Sequence, residues 1–214
     1  MNRLLKYIFL ALLIANTTMK AQNLAFYFEL IPEEQLPHLK PDMRKGMVGL
    51  YELGERPARV PNLLKGVCVL DTLSDSYLSM HTSGISTLAV KMLESKVDST
   101  EILAVMHNVE ATGTLDSSLE FFTKTWSQLD GAQRIDTPTI ADFYKQNADV
   151  TLEDFGRYCT PLLVSYRMDG ETLVASIDPE KYLPKEVYEK IAPALSDKQV
   201  KYKWNKETGK FEKI

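Results

Sequence analysis

Residues 66–93 read GVCVLDTLSDSYLSMHTSGISTLAVKML, and their grammar decides the fold class. Val67, Cys68, Val69 and Leu70 form an apolar run that breaks at Asp71 to Asp75, a cluster of turn-forming residues. From Tyr77 the pattern alternates: Leu78 and Met80 face one way, Tyr77, Ser79 and His81 the other, as in a half-buried strand. Ser83 to Ser86 reverse the chain. Leu88, Val90 and Met92 then resume the alternation with Thr87, Ala89 and Lys91 opposite, so residues 76–93 predict a β-hairpin. A hairpin alone is marginal in water, and other segments must cover it.

Downstream, Asp98 to Thr100 predict a turn, and Glu101 to Glu110 a strand that is apolar on both sides, as the middle of a sheet requires. A loop holding Gly113 and Asp116 precedes a further strand over Leu119 to Trp126. Thr137 and Pro138 announce a short helix carrying Ile140, Phe143 and Tyr144, and Thr151 with Asp154 forms a capping-box pattern for another. Leu162 to Met168 and Glu171 to Ile177 alternate around Asp169 and Gly170, a dipeptide favoured in type I′ turns. A helix with Val187 and Ile191 runs between Pro184 and Pro193; Val200 to Trp204 and Lys210 to Ile214 pair across a turn. Upstream, Ala25 to Leu30 read as extended. Met43, Met47 and Leu50 have helical spacing behind an Asp42 N-cap, and Pro57 and Pro61 bound a loop. The expectation is an α+β protein with antiparallel sheets, about eight short strands in two halves, 22–130 and 131–214, covered by a few helices.

Arg3 and Lys6 precede an apolar run from Ile8 to Ala15 and a small residue at Ala21, the pattern of a signal peptide over residues 1–21. The run has fewer than half of the roughly 20 apolar residues that a membrane span needs. Without these residues, and so without Arg3, Lys6 and Lys20, 22 basic residues face 29 acidic ones, a formal charge of −7. That balance argues against nucleic acid and anionic lipid as partners. No Cys follows the apolar run, so no membrane anchor is expected after cleavage, and the address is periplasmic or secreted.

Export permits a disulfide, and Cys68 and Cys159 are the two cysteines. Paired, they would close a loop of about 90 residues and restrict the unfolded chain by roughly 4–5 kcal/mol. The other reading is two separate buried thiols. Their spacing matches no metal or thioredoxin-type motif.

The succession IPEEQLPHLKPDMRKGMVGLYE, VPNLLKGVCVLDTLSDSYLSMHTSGISTLAVKML, FFTKTW and VKYKWNKETGKF resembles an uncharacterised family of small exported Bacteroidetes proteins, over nearly the whole mature chain. Its densest part is LSDSYLSM, which keeps Leu73, Asp75, Tyr77, Leu78 and Ser79 of the family pattern LTDDYLSL. The resemblance implies shared compartment and fold. It carries across no activity, cofactor or site residue.

Candidate chemistry is sparse. His38 lies in a loop, His81 on the polar side of the hairpin near Ser79, and His107 on a strand face with Val105 and Val109. Alternate residues on a strand project in parallel, so Ser79 and His81 do not aim at each other as a nucleophile and base would. No Gly-x-Ser-x-Gly elbow is present, and Asp71, Asp75, Asp169 and Glu171 lack the ligand rhythm of a calcium loop. The lysines at 198, 201, 203, 206, 210 and 213 suit an edge hairpin that blocks aggregation, or contact with an acidic surface such as a polyanionic glycan. No catalytic or metal residue and no cofactor are expected. Tyr77, Ser79 and His81 are the ligand-binding candidates. The expected function is non-catalytic binding or interaction in the cell envelope, with an envelope protein or glycan as partner; the alternative is an envelope hydrolase with a noncontiguous site.

Overall fold

The structure, a computed structural model, describes residues 23–111, 114–147, 149–197 and 199–214. Residues 1–21, expected to be a signal peptide, and Gly113 and Lys198 lie outside the described residues. Seven antiparallel strands form sheet A in plain chain order: β1 (Ala58–Pro61), β2 (Val67–Leu73), β3 (Tyr77–His81), β4 (Ser86–Ser95), β5 (Thr100–Ala111), β6 (Thr114–Thr123) and β7 (Gln128–Leu129). Four more form sheet B, β8 (Ser165–Asp169), β9 (Thr172–Ser176), β10 (Gln199–Asn205) and β11 (Lys210–Lys213), in the order β11-β10-β9-β8. With five short α-helices among the described residues, the chain has an α+β fold of antiparallel sheets, as the alternating patterns require.

Sheet A is the middle of three layers. Successive side chains of a strand point to opposite faces, so each strand of sheet A feeds two cores. Leu78, Met80, Leu88, Val90, Leu103, Val105 and Phe122 pack against helices α1 (Leu24–Glu29) and α2 (Pro41–Glu52), through Leu24, Phe28, Met47 and Val48. On the reverse face Ile102, Ala104, Met106 and Phe121 meet Tyr166, Leu173, Ala175, Tyr202 and Phe211 of sheet B. Each such large side chain contributes roughly 1.5–3 kcal/mol by burial, which is why β5, apolar on both sides, sits deepest.

Several local expectations are corrected. Ala25 to Leu30 are helical rather than extended, because Asn23 Oδ1 accepts the Phe26 amide at 3.4 Å and the helical spacing sends Leu24, Tyr27 and Phe28 into one core. Helix α2 starts at Pro41 with Lys40 as its N-cap; proline at the first helical position wins over Asp42. The segment between Pro57 and Pro61 is strand β1, tolerated because an edge strand can spare the proline donor. Strand β2 runs through the Asp71 cluster to Leu73, with a register shift between Leu70 and Thr72. Ile140–Phe143 form a 3₁₀ turn capped by Thr139, not Thr137, with Asp142 completing the capping box. Helices α3 (Leu152–Tyr158), α4 (Pro179–Tyr182) and α5 (Lys185–Ile191) follow, α3 capped by Thr151 as its capping-box pattern predicts. The β8–β9 turn centres on Gly170 and Glu171, with positive φ only at Gly170 (60°), a type II′ arrangement instead of type I′ about Asp169.

The cysteines are free thiols in different cores: Cys68 in the helix-side core and Cys159 in the sheet B core. Burial pushes both upward in pKa, Cys159 to about 11, so both are held as inert thiols.

Candidate functional site

Tyr77, Ser79 and His81 lie on the face of sheet A opposite the helices, as their alternation predicts. Sheet B covers this face over β5 and β6, and leaves the β1–β3 end open. His81 Nδ1 pairs with Asp71 Oδ2 at 2.8 Å, both partly solvated, and a pair of that exposure contributes at most about 1 kcal/mol. Tyr77 is pushed up in pKa by burial, opposed by a hydrogen bond with the Ser79 side chain. The three candidates do not converge: His81 pairs with Asp71, while Tyr77 and Ser79 stand two positions apart on the same strand face. Among the described residues no hydroxyl is bonded to His81, and no set of three His, Cys, Asp or Glu side chains could hold a metal ion.

Where sheet B meets β4, a cleft of about 720 Å³ opens. Its walls carry four lysines, Lys91, Lys203, Lys206 and Lys213, and four glutamates, Glu94, Glu171, Glu207 and Glu212, with Trp204 and Asn205 between them. Lys91 comes from β4; its side chain is only 6% exposed, and its ammonium donates to Glu171 at 2.6 Å. The tight β8–β9 turn delivers Glu171 there, its own side chain 79% exposed. Trp204 Nε1 donates to the Glu94 carbonyl at 2.6 Å, its ring packs edge-on to Phe211 at 5.0 Å, and Lys206 reaches Glu94 at 3.5 Å. The basic look of the C-terminal segment is therefore locally cancelled: Lys210 pairs with Asp136 and Lys213 with Asp142. The cleft carries no net charge from these groups, and an anionic ligand gains nothing from it by charge alone.

A second cavity, about 350 Å³, lies at the far end of sheet A, under the β1–β2 and β3–β4 turns. Its organiser is Asn62. The Asn62 Oδ1 accepts the amides of Leu64 at 3.0 Å and Gly66 at 2.9 Å, and its Nδ2 donates to the Thr82 carbonyl at 3.4 Å and faces Cys68 Sγ at 3.8 Å. A local side chain that satisfies two amides of its own turn defines that turn's shape. The close fit extends to Gly66, where a Cβ would stand 3.2 Å from the Asn62 amide. Asn62→Ala is expected to cost about 1–3 kcal/mol, since it strips partners from several groups at once. Hydrogen exchange should show the Leu64 and Gly66 amides losing protection, while those of β5 keep theirs.

His107 is among the residues that line this cavity. Burial pushes its pKa down, with Glu120 opposing, so the imidazole is neutral at neutral pH. Its Nε2 is buried and has no hydrogen-bond partner among the described residues. Sequence reading placed His107 beside Val105 as a structural histidine; that it lines a cavity with Cys68 depends on two turns about 20 and 40 residues away in sequence. Lys91 and Asn62 carried no local signal of a site, apart from Lys91 standing opposite Tyr77 on a half-buried strand pair.

This architecture, a seven-strand meander clad by helices on one face and by a second antiparallel sheet on the other, defines a two-sheet α+β module with a cleft at the sheet junction. The chain belongs to the family described as "Protein of unknown function (DUF3256)", whose model matches residues 16–211. It is similar in fold to a solved structure described as "Structure of a domain of an uncharacterized protein from Porphyromonas gingivalis W83", with a TM-score of 0.75 at 21% identity over 89% of this chain and 98% of that one. No curated protein matches.

Proposed function

We propose that this chain is an exported, non-catalytic binding protein of the cell envelope, and that the cleft between β4 and sheet B holds an envelope glycan. Export is read from residues 1–21. The cleft itself carries the binding reading. A polyhydroxylated, net-neutral ligand needs donors and acceptors in equal supply beside an apolar surface. Four ammonium groups, four carboxylates, the Asn205 amide and the Trp204 ring supply all of these. This favours a net-neutral sugar chain over a polyanion, because the carboxylates would repel the latter. An envelope protein as partner is an outcome the same experiment recognises.

The full chain, titrated calorimetrically with oligosaccharides released from the cell envelope of its host, is expected to bind saturably. Trp204→Ala should weaken that binding at least about tenfold with the far-ultraviolet spectrum unchanged. Equal binding by the variant would remove the cleft from the account. Saturation by envelope protein and by no glycan fraction would replace the glycan with a protein partner.

The hydrolase alternative draws on the His81 and Asp71 pair. Its weakness is geometric: among the described residues no hydroxyl is bonded to His81, and the pair stands on an open sheet face, not in a closed pocket.

A further inference from the structure

We propose that the sugar held in the cleft between β4 and sheet B is an N-acylated amino sugar whose amide bonds to the Lys91 and Glu171 pair. This rests on the glycan reading of the cleft and narrows it to one substituent. Among the cleft's lysines only Lys91 is buried. An ammonium carries three donor protons, and taking it out of water requires acceptors for them. Glu171 Oε1 accepts one at 2.6 Å, whereas the Ser76 hydroxyl, at 3.5 Å, stands at the outer limit of a hydrogen bond. Among the described residues no other group bonds the ammonium, so it keeps capacity for a further acceptor.

Glu171 supplies the complement. Its side chain is 79% exposed, and with Oε1 on Lys91 its second oxygen remains an acceptor at the cleft wall. The two-residue turn that carries it, with Gly170 at φ +60°, and the ion pair together fix its carboxylate. In the cleft's Lys206 and Glu94 pair, by contrast, both side chains are more than half exposed, and water competes for each. A spare donor beside a spare acceptor matches a secondary amide, which offers a carbonyl to Lys91 and an N–H to Glu171 at once. A hydroxyl can fill either place but brings no apolar group, whereas an acyl chain does. Trp204 and Ile214 line the same cleft, Ile214 72% exposed, and give that chain a surface. The amide is also uncharged. A free amino sugar would bring an ammonium against Lys91, and an acidic sugar a carboxylate against Glu171, each a like-charge contact.

The test titrates chitotriose and cellotriose into the full chain at neutral pH; the two share one linkage and differ only in an acetamido group where cellotriose has a hydroxyl. Chitotriose is expected to bind saturably, at least about tenfold more tightly than cellotriose, and to shift the side-chain nitrogen resonance of Lys91. Lys91→Met, close in volume and suited to burial, should bring the two affinities together. Glu171→Ala, at an exposed turn position, should do the same and serves if the first variant fails to fold. Equal affinities in the wild-type chain, an unmoved Lys91 nitrogen, or a preference that survives both substitutions would each overturn the proposal. So would the binding of neither trisaccharide while envelope oligosaccharides still bind, an outcome that leaves the glycan reading standing. Failure of those oligosaccharides as well would remove the glycan reading and this proposal with it.

Discussion

Arg44→Met is expected to lower folding stability by about 3–5 kcal/mol, because it removes the shared partner of four carbonyls. Arg44 is fully buried on α2, beneath the C-terminal end of α1. Its Nε donates to the Leu39 carbonyl at 2.9 Å, and its Nη1 donates to Glu29 at 3.1 Å, to Phe28 at 3.3 Å and, at short range, to Ile31. Helix α1 has only six residues, so its last carbonyls find no partner within the helix and need one from outside. A guanidinium at a helix C-terminus also meets the negative end of the helix dipole. Burial lowers the Arg44 pKa, with Glu33 opposing, yet guanidinium stays charged at any pH a protein tolerates. Methionine fills the volume but donates to none of the carbonyls, of which Phe28 keeps the Ile31 amide at 3.3 Å. Arg44→Lys is expected to recover only part of the loss, since one ammonium cannot span carbonyls that a planar fork reaches. Urea denaturation should show a lower midpoint at unchanged slope, and heating a Tm lower by roughly 6–20 °C. A loss below about 1 kcal/mol would show that water replaces the guanidinium freely.

Asp98→Asn should cost a similar amount, about 3–5 kcal/mol, since it leaves Arg134 buried without its counter-charge. The two side chains meet in parallel, Nη1 to Oδ2 and Nη2 to Oδ1, both at 2.8 Å. Arg134 also donates to the Gly209 carbonyl at 3.2 Å, and its own carbonyl accepts the Phe211 amide at 2.7 Å. The cluster therefore fastens the β4–β5 turn of sheet A to the β10–β11 turn of sheet B. Gly209 is required there twice over: its φ is +63°, and a Cβ would stand 2.8 Å from Arg134 Nη1. The hydrogen bond from Arg134 holds the Asp98 carboxyl below its usual range, against the opposing effect of burial and with help from Ser95. A carboxylate depressed in the folded state contributes fully above its unfolded pKa, about 3.9, and loses that contribution as pH falls through the lower folded value. Acid titration of stability should therefore show a steeper fall below about pH 4 in the wild-type chain than in Asp98→Asn. Equal slopes would mean that the pair gains nothing from charge.

The hairpins were legible because their turns are chemically local. Gly170 and the alternation on either side of it announce β8 and β9, and the Ser83 to Ser86 reversal announces β3 and β4. Where prediction and structure part, a neighbour outweighed the local pattern. The aromatic stretch around Phe26 to Phe28 suits a strand as well as a helix, and the core under α2 selected the helix. Strand β1 was hidden by its prolines until β2 gave it a partner. Arg44 stands off the Met43, Met47 and Leu50 spacing, yet α1 folds back over it and it is completely buried. The same applies to sites. The polar side of β3 was identified, but which part of it stays open depends on how far sheet B extends across the face.

Alternation and turn chemistry in this chain, read alone, determine its hairpin strands and the inward and outward side of each, and hence the α+β class. Those signals act between residues a few positions apart, within reach of hydrogen-bond and rotamer preferences. Tertiary structure alone decided that sheet A would be covered on both faces. It brought Lys91 to Glu171 across 80 residues, and it made His107 line a cavity together with turns distant in sequence. Each of these depends on the packing of whole layers, whose energy is spread over many weak apolar contacts and is written in no single segment.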